Sequence, residues 1–217
     1  MTEVLLIRHG ETAWNAVKRL QGHLDIPLNA TGERQAAALG RALLDEPLDA
    51  VFSSDLQRAY QTAQAVAAPR GMQVLVDRGL RERCYGAFEG MMYADISQRY
   101  PQAYAAWQAR DIDARMPQGE HEAETLREFS QRVIQTITRI VEQGRYRKVA
   151  LVTHGGVLEC AYRAAQGVGF AHPRDFDIFN ASVNRLQWCK GRLKLVEWGD
   201  VSHLENLDEL ALDEIDR

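Results

Sequence analysis

Apolar residues in this chain fall into short unbroken runs that alternate with stripes at helical spacing. Val4-Leu5-Leu6-Ile7, Asp49 to Ser53, Met72 to Val76 and Lys148 to Thr153 are brief runs bounded by charged or turn-forming residues, which predicts buried strands. Ala36, Leu39, Ala42 and Leu43 share one face of a helix predicted from Glu33 to Leu44, with Thr31 as its cap. Asp55 is placed to cap a second helix, Leu56 to Ala68, which Pro69 and Gly71 close. Leu126, Phe129, Val133, Ile137, Ile140 and Val141 stripe a longer helix, Glu122 to Gln143, that ends at Gly144. Another helix is expected from Gly156 to Ala165. Ser182 to Cys189 and Leu193 to Trp198 predict a hairpin turning at Lys190-Gly191.

Strands alternating with helices predict an α/β fold, a three-layer α/β/α sandwich with helices on both faces of a mainly parallel central sheet. Gly10 to Leu28 is a long polar loop, and Asp77 to Gly90 has no clear period. Met91 to Ala109 is helical with a break at Pro101, and Asp111 to Glu120 is a connection. The whole chain, 1–217, is expected to be one domain. A small helical cap governing specificity occupies about 77–122, and an acidic tail, 200–217, forms a surface helix or a frayed end.

Composition narrows the function classes. The chain has 217 residues, 46% hydrophobic and 26% charged, which suits one globular domain with a substantial core. Its net charge of -4 argues against nucleic acid or an anionic membrane as partner, because both need a basic face. Cys84, Cys160 and Cys189 are odd in number and widely spaced, which points to reduced thiols in a cytoplasmic protein. No signal peptide or membrane span is expected.

The candidate chemistry lies where strands end. Arg8-His9-Gly10-Glu11-Thr12 follows the first strand, and His154-Gly155-Gly156 follows the fourth. The second strand leads through Ser53-Ser54-Asp55 to Arg58. In open α/β sheets, ligand sites lie outside the carboxyl ends of the strands. Two guanidinium groups and two imidazoles around one point make a pocket for a doubly charged oxyanion. Helix N-termini near Leu56 and Gly156 are expected to add backbone N–H donors to the same anion.

These blocks resemble the histidine phosphatase superfamily, in the branch that includes cofactor-dependent phosphoglycerate mutases. The resemblance is carried by Arg8-His9-Gly10-Glu11-Thr12 with Trp14-Asn15, and by Arg19, Gly22, Asp25, Leu28 and Thr31-Gly32. Ser53-Ser54-Asp55-Leu56 with Arg58-Ala59 and Gln61-Thr62-Ala63 resembles a second block. Leu80-Arg81-Glu82 with Gly86 and Glu89-Gly90 resembles a third, and Val152-Thr153-His154-Gly155-Gly156 a fourth. The resemblance implies that His9 is a nucleophile forming a phosphohistidine. It implies that Arg8, Arg58 and His154 bind the phosphoryl oxygens, and that Glu82 is general acid and then base. Asn15, Gln21 and Gly155 are carried over as phosphate-binding residues. His9 must be neutral, with its other ring nitrogen donating to a backbone carbonyl.

No metal is expected, since Arg8 and Arg58 would repel a cation from a cluster of His9, His154 and Glu82. His23, His121, His172 and His203 are read as surface or structural, with His23 and His121 as candidates for the entrance. The leading expectation is a phosphomonoester hydrolase acting on a small phosphorylated metabolite, as monomer or homodimer. A phosphoglycerate mutase using 2,3-bisphosphoglycerate is the alternative, and a non-catalytic phospho-ligand or protein-binding module is a second. The segment Gly90 to Glu122 favours the phosphatase. It is short and has Arg99, Arg110 and Arg115 but no lysine, whereas mutases typically carry a longer, more basic segment. His121 stands where many relatives have serine.

Overall fold

Each predicted apolar run forms a strand, and the strands join one sheet. The computed structural model describes residues 1–205. In chain order its main elements are β1 (Thr2–Arg8), α1 (Ala13–Ala16), α2 (Ala30–Ala42), β2 (Ala50–Ser53), α3 (Gln57–Ala67) and β3 (Val74–Val76). The cap helices α4 (Tyr93–Arg99) and α5 (Pro101–Gln108) follow, then α6 (Leu126–Val141), β4 (Lys148–Thr153), α7 (Gly155–Gln166), β5 (Val183–Cys189) and β6 (Arg192–Asp200). The strand order is β3-β2-β4-β1-β5-β6. β3, β2, β4 and β1 run parallel, while the β5–β6 hairpin adds antiparallel strands beside β1. No described helix is long and apolar enough to cross a membrane.

The period of two along each strand sorts the core into two layers. Val4 and Leu6 of β1, Phe52 of β2 and Val149 and Leu151 of β4 pack against the α6 stripe and against Val157, Leu158 and Ala161 of α7. Leu5, Ile7, Val51, Ala150 and Val152 face the other way, onto Leu39 of α2 and Ala59, Ala63 and Val66 of α3. A separate apolar cluster holds the cap together, with Phe88, Ile96 and Trp107 at its centre and Leu20 reaching in from the long loop. The three layers and the cap match the expected architecture.

Several local expectations are corrected. Helix α2 is capped by Asn29, not Thr31. The Asn29 side chain accepts the Gly32 N–H at 2.8 Å and donates to Glu11 Oε1 at 2.6 Å, and this tie to the loop starts the helix earlier. Asp55 does not cap α3, because Arg81 engages both its oxygens at 2.6 Å. Asp25, from the long loop, accepts the Gln57 N–H at 2.7 Å instead. Thr125 caps α6 through a reciprocal capping box with Glu128. Beyond Asp200, Ser202–Leu204 forms a short turn whose buried Leu204 packs near Ala38 and Ala181. The rest of the acidic tail, 206–217, lies outside the described residues.

Candidate active site

Parallel pairing of β1 with β4 places Arg8 opposite Thr153, so His9 and His154 leave the sheet side by side. The His9 N–H closes this pairing on the Thr153 carbonyl at 2.9 Å. The two rings meet edge to face with centroids 5.2 Å apart. His9 Nδ1 lies 2.6 Å from the Gly10 carbonyl. A carbonyl only accepts, so Nδ1 carries the proton and Nε2 holds the lone pair, as nucleophilic attack requires. Burial, then Arg58 and Arg8, push the His9 pKa well below its usual value, so the ring is neutral at physiological pH. His154 is shifted in the same direction, first by burial and then by Arg58 and His9.

Both arginines are fully buried. Arg8 Nη1 donates to the Ile178 carbonyl at 2.7 Å. Arg58, on the first turn of α3, donates from Nη1 to Leu24 O and from Nη2 to Gly22 O at 2.9 and 2.7 Å. It therefore staples the long loop across the site. Gly22 is left-handed, with φ +54°, and a Cβ there would fall 2.1 Å from Glu89 Oε1. Burial lowers the Arg58 pKa to about 10, still far above neutrality.

A small pocket opens on His9, Asn15, Gln21, Arg58 and Glu82, with Tyr85 and Tyr93 at its wall. Thr12 Oγ1 lies 3.0 Å from both Asn15 Oδ1 and Gln21 Oε1. With their oxygens on Thr12, both amides have only N–H donors to offer an anion. Arg8, His154 and Gly155 are not among the residues lining this pocket; Gly155 lines a neighbouring one that also includes Tyr85.

Glu82 is buried and its pKa is raised by desolvation, against the lowering by its two backbone hydrogen bonds. These come from Arg83 N at 2.7 Å and Gly156 N at 3.0 Å. The expectation that the helix ends near Leu56 and Gly156 point their N–H groups at an anion is corrected for these donors. The Gln57 N–H is taken by Asp25 and the Gly156 N–H by Glu82. Gly156 also lets the carboxylate approach, since a Cβ would lie 2.3 Å from Glu82 Oε1.

The residues that hold these groups are less visible in the sequence. Arg132 on α6 donates to the carbonyls of Gly79, Arg81 and Glu82 while Glu124 accepts at its other edge. His23 Nε2 lies 2.8 Å from Glu82 O, and Thr153 Oγ1 donates to Leu80 O. His23 thus holds the Glu82 backbone, and its ring lies 6.2 Å from that of His121. Asn180 Nδ2 and Ala181 N both donate to the His9 carbonyl, and Thr62 accepts the Gly10 N–H. Thr62 lies one turn after Arg58, so helical spacing could have found it. Asn180 precedes β5 in a loop with no period and left no such signal.

Arg58 Nε and both ring nitrogens of His154 are buried without a hydrogen-bond partner among the described residues. Neutral His154 has one N–H to give, so it and Arg58 Nε are dry donors that each cost about 1–3 kcal/mol, which a bound oxyanion would recover. Inorganic phosphate or vanadate at a hundred times its Kd is therefore expected to stabilise the fold by about 2.7 kcal/mol, raising Tm by roughly 5–10 °C. Differential scanning fluorimetry against a chloride control checks this, and an unmoved Tm would count against an anion site.

The site can be set beside known proteins. The sequence model of the histidine phosphatase superfamily (branch 1) matches residues 4–201. Phosphoglycerate mutase-like protein 4 of Arabidopsis thaliana is 39% identical over 206 residues, covering 94% of this chain and 87% of that protein. A metal-independent phosphoserine phosphatase of Arabidopsis thaliana is 34% identical over 212 residues, covering 95% of this chain and 85% of that one. The solved structure of mycobacterial glucosyl-3-phosphoglycerate phosphatase with VO3 has a TM-score of 0.80 at 30% identity, covering 92% of this chain and 99% of that chain.

Proposed function

The chain belongs to the histidine phosphatase superfamily, and from that premise we propose that it is a metal-independent phosphomonoesterase that works through a phosphohistidine on a small phosphorylated metabolite. One observation carries the reading. A neutral imidazole with its Nδ1 proton fixed on Gly10 shares a pocket with a carboxyl group whose pKa burial has raised.

In the first step His9 Nε2 attacks phosphorus, the P–N bond forms and the ester P–O bond breaks. Glu82 gives its proton to the departing oxygen. In the second, water attacks phosphorus, its proton passes to the Glu82 carboxylate, and the P–N bond breaks to restore neutral His9. Arg8, Arg58 and His154 stabilise the charge on the transferring group, with Asn15 and Gln21 as further donors. Each charge-assisted hydrogen bond contributes about 1.5–3 kcal/mol. Two buried guanidinium groups beside two imidazoles supply the charge that a metal would otherwise bring, and they disfavour a cation.

Names among the relatives divide between phosphatase and mutase-like. The short cap segment without lysine supports hydrolysis over transfer to a phosphoglycerate. Hydrolysis of a generic phosphomonoester is expected to be unchanged by chelator, and 2,3-bisphosphoglycerate is expected to confer no rapid interconversion of 2- and 3-phosphoglycerate. Assays of phosphate release with EDTA and of phosphoglycerate exchange with the bisphosphate decide it. Loss of activity in EDTA refutes metal independence, and a large stimulation of exchange makes the chain a mutase.

A further inference from the structure

The stretch that carries Glu82, 77–85, has one short turn, Arg78–Leu80, and joins no strand of the sheet. Its carbonyl oxygens have no ladder to enter, and those from Gly79 to Glu82 are met by side chains instead. Gly79 O and Arg81 O accept from Arg132 Nη1 at 2.9 and 3.0 Å. Leu80 O accepts from Thr153 Oγ1 at 2.7 Å. Glu82 O accepts twice, from Arg132 Nη2 at 3.1 Å and from His23 Nε2 at 2.8 Å.

Arg132 accounts for most of this hold. A guanidinium has five N–H groups in one plane, and here every one of them has an acceptor. Nη1 donates to Gly79 O and Arg81 O, Nη2 to Glu82 O and Glu124 Oε2, and Nε to Glu124 Oε1. Both bonds to Glu124 are 2.7 Å long. Glu124 Oε2 also accepts the Cys84 N–H at 2.9 Å, and the Glu124 N–H returns to Cys84 O at 2.9 Å. Together the pair grips the chain on both sides of Glu82. The grip comes from a rigid element, since Phe129 and Val133 beside Arg132 on α6 are buried in the main core. Glu124 answers the charge of Arg132, while the Glu82 carboxyl takes its own hydrogen bonds from Arg83 N and Gly156 N. What Arg132 gives Glu82 is place, not charge.

We propose that Arg132 is the positioning residue of the general acid, acting on the reaction only through where it holds the Glu82 backbone. The proposal rests on the phosphatase reading above. Proton transfer needs the acid within hydrogen-bond reach of the leaving oxygen, and a displacement of about 1 Å costs on the order of a hundredfold in rate. Lysine would keep the charge but not the planar fork that meets three carbonyls and both oxygens of a carboxylate.

The experiment measures kcat/KM for phenyl phosphate and 4-nitrophenyl phosphate, and the inhibition constant of inorganic phosphate. It compares wild type, R132K, R132M, E82Q and the double variant E82Q/R132M, with Tm of each as a check on folding. R132M is expected to lower kcat/KM for phenyl phosphate by about a hundredfold. R132K should share most of that loss while keeping a Tm near wild type. The nitrophenyl ester, whose oxygen leaves without a proton, should lose far less, and phosphate inhibition should hardly change. In the E82Q background R132M should cost nothing further, because an effect routed through the acid ends when the acid is gone. The same loss in both backgrounds, equal loss for both esters, weakened phosphate inhibition, or full activity in R132K and R132M overturns the positioning role and leaves the phosphatase reading standing. Failure of the wild type to hydrolyse either ester strikes the phosphatase reading, and the proposal with it.

Discussion

Alanine at His9 is expected to lower phosphomonoester turnover by on the order of 10⁴–10⁶, the range seen when a nucleophile is deleted from an otherwise intact site. The loss should fall on kcat, because the anion-binding groups stay in place: Arg58 is tied to Gly22 and Leu24, not to the His9 ring. Rapid quench of the wild type with a labelled ester should trap phosphate on the protein in a form stable to alkali and labile to acid, as a P–N bond is. The variant should trap none. Turnover within tenfold of wild type, or undiminished labelling, would move the nucleophile away from His9.

Glutamine at Glu82 is expected to lower turnover of poor leaving groups by about 10²–10⁴, the usual contribution of a positioned general acid. A nitrophenyl leaving group needs little protonation, so its first step should suffer far less. The inhibition constant of inorganic phosphate should hardly change. The pH profile of kcat/KM carries a second test. His9 acts when neutral, and burial has lowered its pKa, so activity falls only when pH drops through that lowered value. Glu82 acts first as the protonated acid, and burial has raised its pKa, so activity falls as pH rises through that raised value. Burial therefore widens the active window from both sides. Glutamine has no proton to lose, so the alkaline limb should vanish in the variant. An unchanged alkaline limb would assign the acid to another group, with Glu89 the next to try.

The strand ends were legible because two independent periods agreed there. Unbroken apolar runs marked β1 and β4, and a His-Gly pair after each marked the turn out of the sheet. The helix caps were less legible. Thr31 and Asp55 have the right chemistry at plausible positions, but Arg81 claimed Asp55 and Glu11 held Asn29 two residues ahead of Thr31. Local preference lost to a partner brought from another part of the chain. Glu82 was found through its neighbours in sequence, yet what fixes it comes from Arg132 on α6 and His23 in the long loop. No spacing rule connects those three residues.

The pairing of β1 with β4 has a consequence for how the molecule comes into being. His9 is joined by a backbone hydrogen bond to Thr153, the residue before His154, although all of α1 to α6 lies between them in the chain. Closing so long a loop is entropically costly and belongs late in assembly. Asn180 and Ala181, which brace His9 from behind, arrive later still in synthesis. A nascent chain thus emerges with His9 first and completes the surroundings of that residue last. Until β4 slots beside β1, the imidazole lacks the Thr153 carbonyl behind it and the His154 ring against it.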